Sequence, residues 1–426
     1  MINAVKKVHI ELSFHIPPLF VNMLYKTRGK GEVSMFKKSK RFAALILCIV
    51  CAVASIRYTK AEQQTAPSVD IGTARAALLI DEASGKTLFE ANAAEKLPAA
   101  GLTRLAALTV ICDAFDSGAI AGDTAVSVDE TASRIGGTTA FLRAGERMDA
   151  NSLLLAAVMI NAGDATHALA CAAFGGESNA VAAINSRLAE LGVSAVYSDI
   201  CGANQSFSAV ELASLARELI NSQTYSKYGT RFYERISHEG AGETELANPN
   251  KLIKQYSGCL GVGTGSSSDA GYCGVFAAKR GESRYIAVVL GAKTGAERFE
   301  IGRSLLDYGF SSFRSVRISG AGEAFGSIQV KGSLVREIGA IAGDDTVLLI
   351  STSKKEYALE TELQESLEAP VKRGDAVGML TVRGADGEVL AETLLVSDSD
   401  AEKAGFLDCV RLIVSKYLRT EGRSAG

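Results

Sequence analysis

Apolar runs with two different periods alternate along the chain. "AALLIDEASGKTLFEANA" contains short runs split by a Ser-Gly pair and predicts two strands joined by a turn. "LTRLAALTVICDAF" carries apolar residues at helical spacing and ends in "DSG", which predicts a helix with a glycine stop. "MDANSLLLAAVMINAGDATHALACAAF" keeps helical spacing but breaks near residues 161–164. "VAAINSRLAELG" and "SAVELASLARELI" predict two more amphipathic helices. "AGYCGVFAAKRG" and "SRYIAVVLGA" then predict a hairpin, and "RFEIGRSLLDYGFSSF" a helix. Strands at both ends with helices between them predict an α+β fold, a sheet packed against helices with a helical subdomain inserted.

From about Val316 the period changes. "GSIQVKGSL", "DTVLLISTS", "YALETELQE", "DAVGMLTVRG" and "EVLAETLLV" are short alternating strands separated by Gly or Asp turns, which predict a small all-β domain. In the terminal segment Ser399 and Glu402 stand at capping-box spacing. Phe406, Leu407, Val410, Ile413, Val414, Tyr417 and Leu418 then form one apolar stripe, with Arg411, Lys416 and Arg419 off it. The basic polar face favours a membrane interface with anionic headgroups, against packing on the chain itself or on a second copy.

The N-terminus reads as a targeting segment. Lys37, Lys38, Lys40 and Arg41 precede the short apolar run "FAALILCIVCAVAS", as in a secretory signal. The small residues of "AVA" or "TKA" offer a cleavage site, and the run is short for a membrane span. No lipoprotein-type small residue precedes Cys48 or Cys51, so no lipid anchor is expected. Because "MFKKSKRF" opens a signal at Met35, residues 1–34 are read as an upstream extension and translation is expected to start at Met35. The domain reading is therefore 1–34 extension, 35–61 signal, 68–313 main domain, 316–397 β-domain, and 398–426 helix and tail. The expected location is the outer face of the cytoplasmic membrane or the cell envelope.

Composition narrows the partners. Forty-five basic and forty-eight acidic side chains give a net charge of -3, with no electrostatic footprint for nucleic acid. Cys112, Cys171, Cys201, Cys259, Cys273 and Cys409 sit singly in apolar segments without metal-ligand spacing. They are expected to be buried free thiols, and no metal or other cofactor is expected.

Several stretches carry a resemblance: "LIDEASGKTLFEANAAEKLPAA", "IGGTTAFLRAGERMDANSLLLAAVMI", "LANPNKL", "GTGSSSDAGYCGVFAAKR" and "LLDYGF". From about Ala76 to Phe313 the chain resembles the serine D-alanyl-D-alanine carboxypeptidases, the low-molecular-mass penicillin-binding proteins. The tail looks like their C-terminal β-domain and membrane-associating helix. The resemblance implies a transpeptidase-like domain, an antiparallel sheet with helices on both faces and an inserted helical subdomain. It also implies a serine nucleophile and lysine base in Ser-x-x-Lys, a relay in Ser-x-Asn, and a cationic edge strand in Lys-Thr-Gly.

Those side chains are missing. "PAAGLTRL" puts Gly101 at the nucleophile position and Arg104 at the base position. Glycine has nothing to acylate, and arginine stays protonated. "INAGDA" puts Asn161 and Gly163 at the relay positions, and "GVGTG" keeps Thr264 and Gly265 but has Gly263 for the lysine. "KTG" at 293–295 is read as a turn after a strand, and the Ser351 to Lys354 match to Ser-x-x-Lys as the end of a strand. Thr103 points elsewhere in its helix, His9 and His15 precede the signal, and His167 and His238 have core or surface readings.

Some of the site is expected to survive. The resemblance implies an oxyanion hole of backbone N–H groups at Gly101 and Ser266, and an arginine, Arg298, that approaches the substrate carboxylate; a surface arginine paired with Glu297 or Glu300 is the other reading. Three functions stay open: a non-catalytic cell-wall protein binding peptidoglycan stem peptides or wall enzymes, a weakly active D-Ala-D-Ala carboxypeptidase, and a structural or oligomerising envelope module.

Overall fold

The computed structural model describes residues 69–408 apart from 241, 354 and 355, together with 410, 411 and 414. The signal segment, the upstream extension, Lys354, Cys409 and most of the terminal helix lie outside the described residues.

Strands β1 (Ala76–Asp81) and β2 (Thr87–Ala91) form the opening hairpin. A 3₁₀ turn, Ala100–Arg104, leads into helix α1 (Leu105–Asp116). Helices α2 (Ala150–Ile160) and α3 (Gly163–Phe174) meet at the break read from the sequence. Helices α4 (Glu177–Glu190) and α5 (Ala209–Asn221) follow, and Ser208 and Glu211 complete a capping box at the start of α5. Strands β3 (Cys259–Ser267), β4 (Gly271–Arg280) and β5 (Ser283–Ala292) then return, and helix α6 (Gly295–Ser312) closes the domain.

The sheet order is β2-β1-β5-β4-β3, antiparallel throughout. Both faces are covered. Because successive strand side chains point to opposite faces, Ala76, Leu78 and Ile80 enter one core with α1 and α5, while Ala77 and Leu79 enter another with Leu305 and Leu306 of α6. Burial on both faces explains why β1 reads as a continuous apolar run rather than an alternating one.

The β-domain has its own core, including Ile328, Ile338, Val377, Leu380 and Leu395. Besides the strands legible in the sequence it uses Phe313–Ser319, Glu337–Ala342 and Ser366–Glu368. The expected capping box at Ser399 does not form. Ala401 pairs with Val371 and Lys403 with Ser333 as β-bridges, so main-chain pairing takes the segment that the side-chain pattern assigned to a helix. Helix begins instead at Phe406. The "KTG" match falls at the bend between β5 and α6, where Thr294 accepts a hydrogen bond from the Glu297 N–H and N-caps the helix. The Ser351 match does end a strand, Thr346–Ser351.

Packing between sheet and helix supplies a prediction. The Phe276 ring of β4 lies against Gly302 of α6, where an added Cβ would stand 2.5 Å from two ring carbons. Alanine gains about 1 kcal/mol of helix propensity over glycine. Overpacking a filled core costs about 1–3 kcal/mol and is expected to outweigh it. Gly302→Ala should therefore lower stability in urea unfolding; a higher midpoint would mean that the ring relaxes freely.

Candidate functional site

The site starts at the turn before α1. Ala100 has φ +50, a left-handed conformation that is unfavourable for a residue with a Cβ, and it stands immediately before Gly101. Leu102 and Thr103 turn inward. The Thr103 hydroxyl donates to the Cys201 carbonyl at 2.7 Å, which fixes it away from the cleft. Gly101 and Arg104, one turn apart, are left at the cleft wall.

The break between α2 and α3 supplies the second wall. Asn161 caps α2 in a left-handed conformation at φ 57, which asparagine tolerates better than most residues. Its side-chain amide donates to the Gly101 carbonyl, and its own carbonyl accepts from Arg104 Nη1 at 2.6 Å. Asp164, fully buried, accepts from Ala140 N–H and Leu142 N–H at 2.9 and 3.1 Å, while Gly163 N–H donates to the Thr138 carbonyl at 2.9 Å. These bonds pin the loop carrying Gly137 and Thr138 over the cleft.

Arg104 occupies the space between these segments. A Cβ on Gly101, Gly137 or Gly163 would lie 3.3, 3.4 and 3.3 Å from guanidinium nitrogens of Arg104. At Gly163 the same Cβ would also stand 2.7 Å from the Ile135 side chain. At Gly101 and Gly163 an added side chain would crowd the guanidinium by a few tenths of an ångström. Among the described residues no carboxylate lies within ion-pair distance of it, and its Nε is buried without a hydrogen-bond partner.

Edge strand β3 forms the third wall. A Cβ on Gly265 would lie 2.9 Å from the Gly101 nitrogen, so only glycine permits this approach of β3 to the turn. Gly263 differs: a Cβ there would meet Leu102 and Leu105 at an ordinary 3.4 and 3.6 Å. Thr264, Gly265, Ser266 and Arg298 line the same cavity, about 490 Å³, as Gly101, Arg104 and Asn161. Gly163 is beside Arg104 but not on the cavity wall, and Gly263 faces a separate small recess.

Arg298 is not a surface arginine paired with its helix neighbours. It is 7% exposed, donates through Nη1 to the Cys273 and Gly265 carbonyls at 3.1 and 3.2 Å, and lies beside the Tyr272 and Phe299 rings. Glu297 instead accepts from Thr73 and Lys293. Burial lowers the Arg298 pKa from its usual value, though a guanidinium remains charged.

Other residues here were not legible as site residues. Glu245 lines the cavity but pairs with Arg235 at 3.1 Å. Cys201 stands close enough to Arg104 to raise the question of a substitute nucleophile. Burial pushes its thiol pKa up, Arg104 pulls it down and Asp199 pushes it up again, with a raised value as the net result. A protonated thiol is a poor nucleophile. The five described cysteines are free, as expected, although Cys171 and Cys201 are only partly buried. His238 is a satisfied core histidine held by Glu146 and Thr244, each at 2.7 Å.

The sheet, the helices on its two faces and the β-domain match penicillin-binding protein 5 from Haemophilus influenzae with a TM-score of 0.68 at 24% identity, over 79% of this chain and 99% of that one. This is the transpeptidase-like fold expected from the sequence. Residues 60–294 match the D-alanyl-D-alanine carboxypeptidase family, and residues 313–403 match the penicillin-binding protein 5 C-terminal domain. D-alanyl-D-alanine carboxypeptidase DacF of Bacillus subtilis is 30% identical over 81% of this chain and 90% of its own length. DacC of Escherichia coli is 29% identical over 81% and 88%. The chain belongs to the D-alanyl-D-alanine carboxypeptidase family of cell-wall metabolism.

The crowding around Arg104 is measurable. Gly163→Ala is expected to destabilise the fold by roughly 1–3 kcal/mol. Adding Arg104→Ala should recover part of that loss, with a coupling above about 0.5 kcal/mol in a double-mutant cycle. Strict additivity would show that the arginine does not compete for this space.

Proposed function

We propose that this chain binds peptidoglycan stem peptides in its cleft without hydrolysing them, as a non-catalytic member of its family. The observation that carries the reading is the guanidinium of Arg104 packed against Gly101 and Gly163, where the resemblance would place a nucleophile and a relay amide. In a well-studied serine protease, loss of the nucleophile costs on the order of a million-fold in turnover. Among the residues lining this cavity no hydroxyl is hydrogen-bonded to a base, the Ser267–Asp269 pair lies on the adjoining cavity, and burial raises the pKa of the nearest thiol.

Binding has separate support. Arg298 presents a buried guanidinium at the cavity, the chemistry that grips a terminal carboxylate. Arg104 adds a second cation without an acidic partner. In this reading the backbone N–H groups that the resemblance assigns to the oxyanion hole, at Gly101 and Ser266, would serve a peptide laid along β3 beside Thr264 and Gly265. A cleft with these groups favours anionic, carboxylate-ended ligands over the neutral carbonyl that a hydrolase must attack.

The same reading places the protein in the envelope. The signal-like run supports export. Phe406 and Leu407 are 83% and 70% exposed at the start of the terminal helix, and their stripe supports contact with a membrane surface or another wall protein. No helix among the described residues is long and apolar enough to cross a membrane.

Fluorescent penicillin separates the readings. The native protein should take no covalent label, while a variant combining Gly101→Ser, Arg104→Lys, Asn161→Ser, Gly163→Asn and Gly263→Lys should regain some. An acyl-D-Ala-D-Ala peptide should bind the native cleft in calorimetry without release of D-alanine. Arg298→Ala should weaken that binding about 10–100-fold, the value of a charged hydrogen bond. Saturable label on the native protein, or D-alanine release at a rate set by the cleft residues, would sink the proposal.

A further inference from the structure

A second cavity, of about 590 Å³, shares Gly101 and Arg104 with the first and is lined further on by Thr131, His167 and Glu177. Behind His167 lies a group the carboxypeptidase site does not use. His167 and Cys171 stand one turn apart on one face of α3, and Asp129 precedes the short helix Glu130–Ser133. One ligand atom from each of the three lies within 4.8 Å of the others.

The spacing is informative. His167 Nε2 is 3.6 Å from Asp129 Oδ2 and 3.5 Å from Cys171 Sγ. A nitrogen and oxygen sharing a proton sit about 2.7–3.2 Å apart, so the first distance is too long for a hydrogen bond. His238 shows what a satisfied buried histidine looks like in this molecule, with both ring nitrogens at 2.7 Å from an oxygen. The His167 side chain is as well covered, at 3% exposure against 5%, yet its Nε2 has no oxygen within hydrogen-bond distance and meets only the Cys171 sulfur, at an ordinary N···S separation. Two ligands of one tetrahedral metal, with bonds of about 2.0–2.3 Å, are separated by roughly 3.3–3.7 Å.

We propose that Asp129 Oδ2, His167 Nε2 and Cys171 Sγ form a binding site for a zinc-class divalent cation, with the fourth coordination position open to solvent on the Asp129 side. Thiolate and imidazole together select zinc-like or copper-like ions over magnesium and calcium. Three protein ligands with one position open is the arrangement of an accessible site rather than a closed structural one. The carboxylate is oriented in advance: Asp129 Oδ1 accepts the Ala132 N–H at 2.6 Å, which leaves Oδ2 for the metal. Half-exposed Asp129 gives the ion an entry path.

Cobalt(II) alone, titrated into the purified full chain, is the test. One equivalent should bind and give thiolate-to-cobalt charge-transfer absorption, and Zn²⁺ should displace it. Even outer-shell changes cost about 10–100-fold in metal affinity, so Cys171→Ser and His167→Asn should lose at least that much, and Cys171→Ser should abolish the absorption. Cys259→Ala, whose thiol lies in the other core, should keep both. Asp129→Asn preserves the helix cap, and it guards against a core variant that fails to fold. Zn²⁺ should raise the melting temperature of the native chain and not that of Asp129→Asn. A native chain without the absorption, or absorption that survives Cys171→Ser, overturns the site.

Discussion

At the cleft wall one guanidinium adds a polar tie between chain segments that the core already packs together. Arg104 donates to the Asn161 carbonyl, and Asn161 reaches back to the Gly101 carbonyl, so the turn before α1 and the end of α2 are tied in both directions. A side chain at Gly101 or Gly163 would press on the guanidinium, while Gly137 is at ordinary contact distance from it. Around the Arg104 side chain the small glycines leave the space a close-packed interior needs for it. The altered positions are therefore coupled, and restoring a side chain at one of them meets the arginine before it meets a substrate.

Around this centre the scaffold is indifferent to chemistry. The sheet is held by two apolar cores, and the edge strand approaches the turn closely because Gly265 has no Cβ. The left-handed Ala100 persists although no nucleophile follows it. Strain of this kind survives when the surrounding structure over-determines it. Core packing holds the carboxypeptidase fold with glycine at position 101 and arginine at position 104, and fold similarity by itself does not settle activity.

Much of this architecture was legible in the sequence. The opening hairpin, the break between α2 and α3 and the amphipathic α5 follow from period and capping residues, which are local signals. The misreadings share a cause. Ser399 and Glu402 have the spacing of a cap, but the segment is captured by bridges to Val371 and Ser333, partners distant in the chain. Strands such as Glu337–Ala342 escaped because their identity depends on neighbours rather than on alternation. At the cleft, the sequence named the residues around one cavity but recorded the centre as a set of losses. That Arg104 fills the space, that Cys201 stands beside it and that Glu245 joins the wall are facts of tertiary contact with no signature in the text. The grouping of Asp129, His167 and Cys171 is half legible at best. The helical spacing of His167 and Cys171 is visible, while Asp129 arrives from a different loop.

Charge bears on which ligands this frame favours. A hydrolase here must stabilise negative charge that appears only in the transition state, and preorganised donors reward that moment most when nothing anionic is present beforehand. A fixed guanidinium at the centre inverts the preference, because it stabilises an anion already present in the ground state. Replacing Gly101 by serine alone would leave this inversion in place: the hydroxyl would face a permanent cation that cannot accept its proton. The base position thus differs in charge chemistry as much as the nucleophile position does, because Arg104 sets a fixed cation on the cleft wall where a base would have to accept a proton.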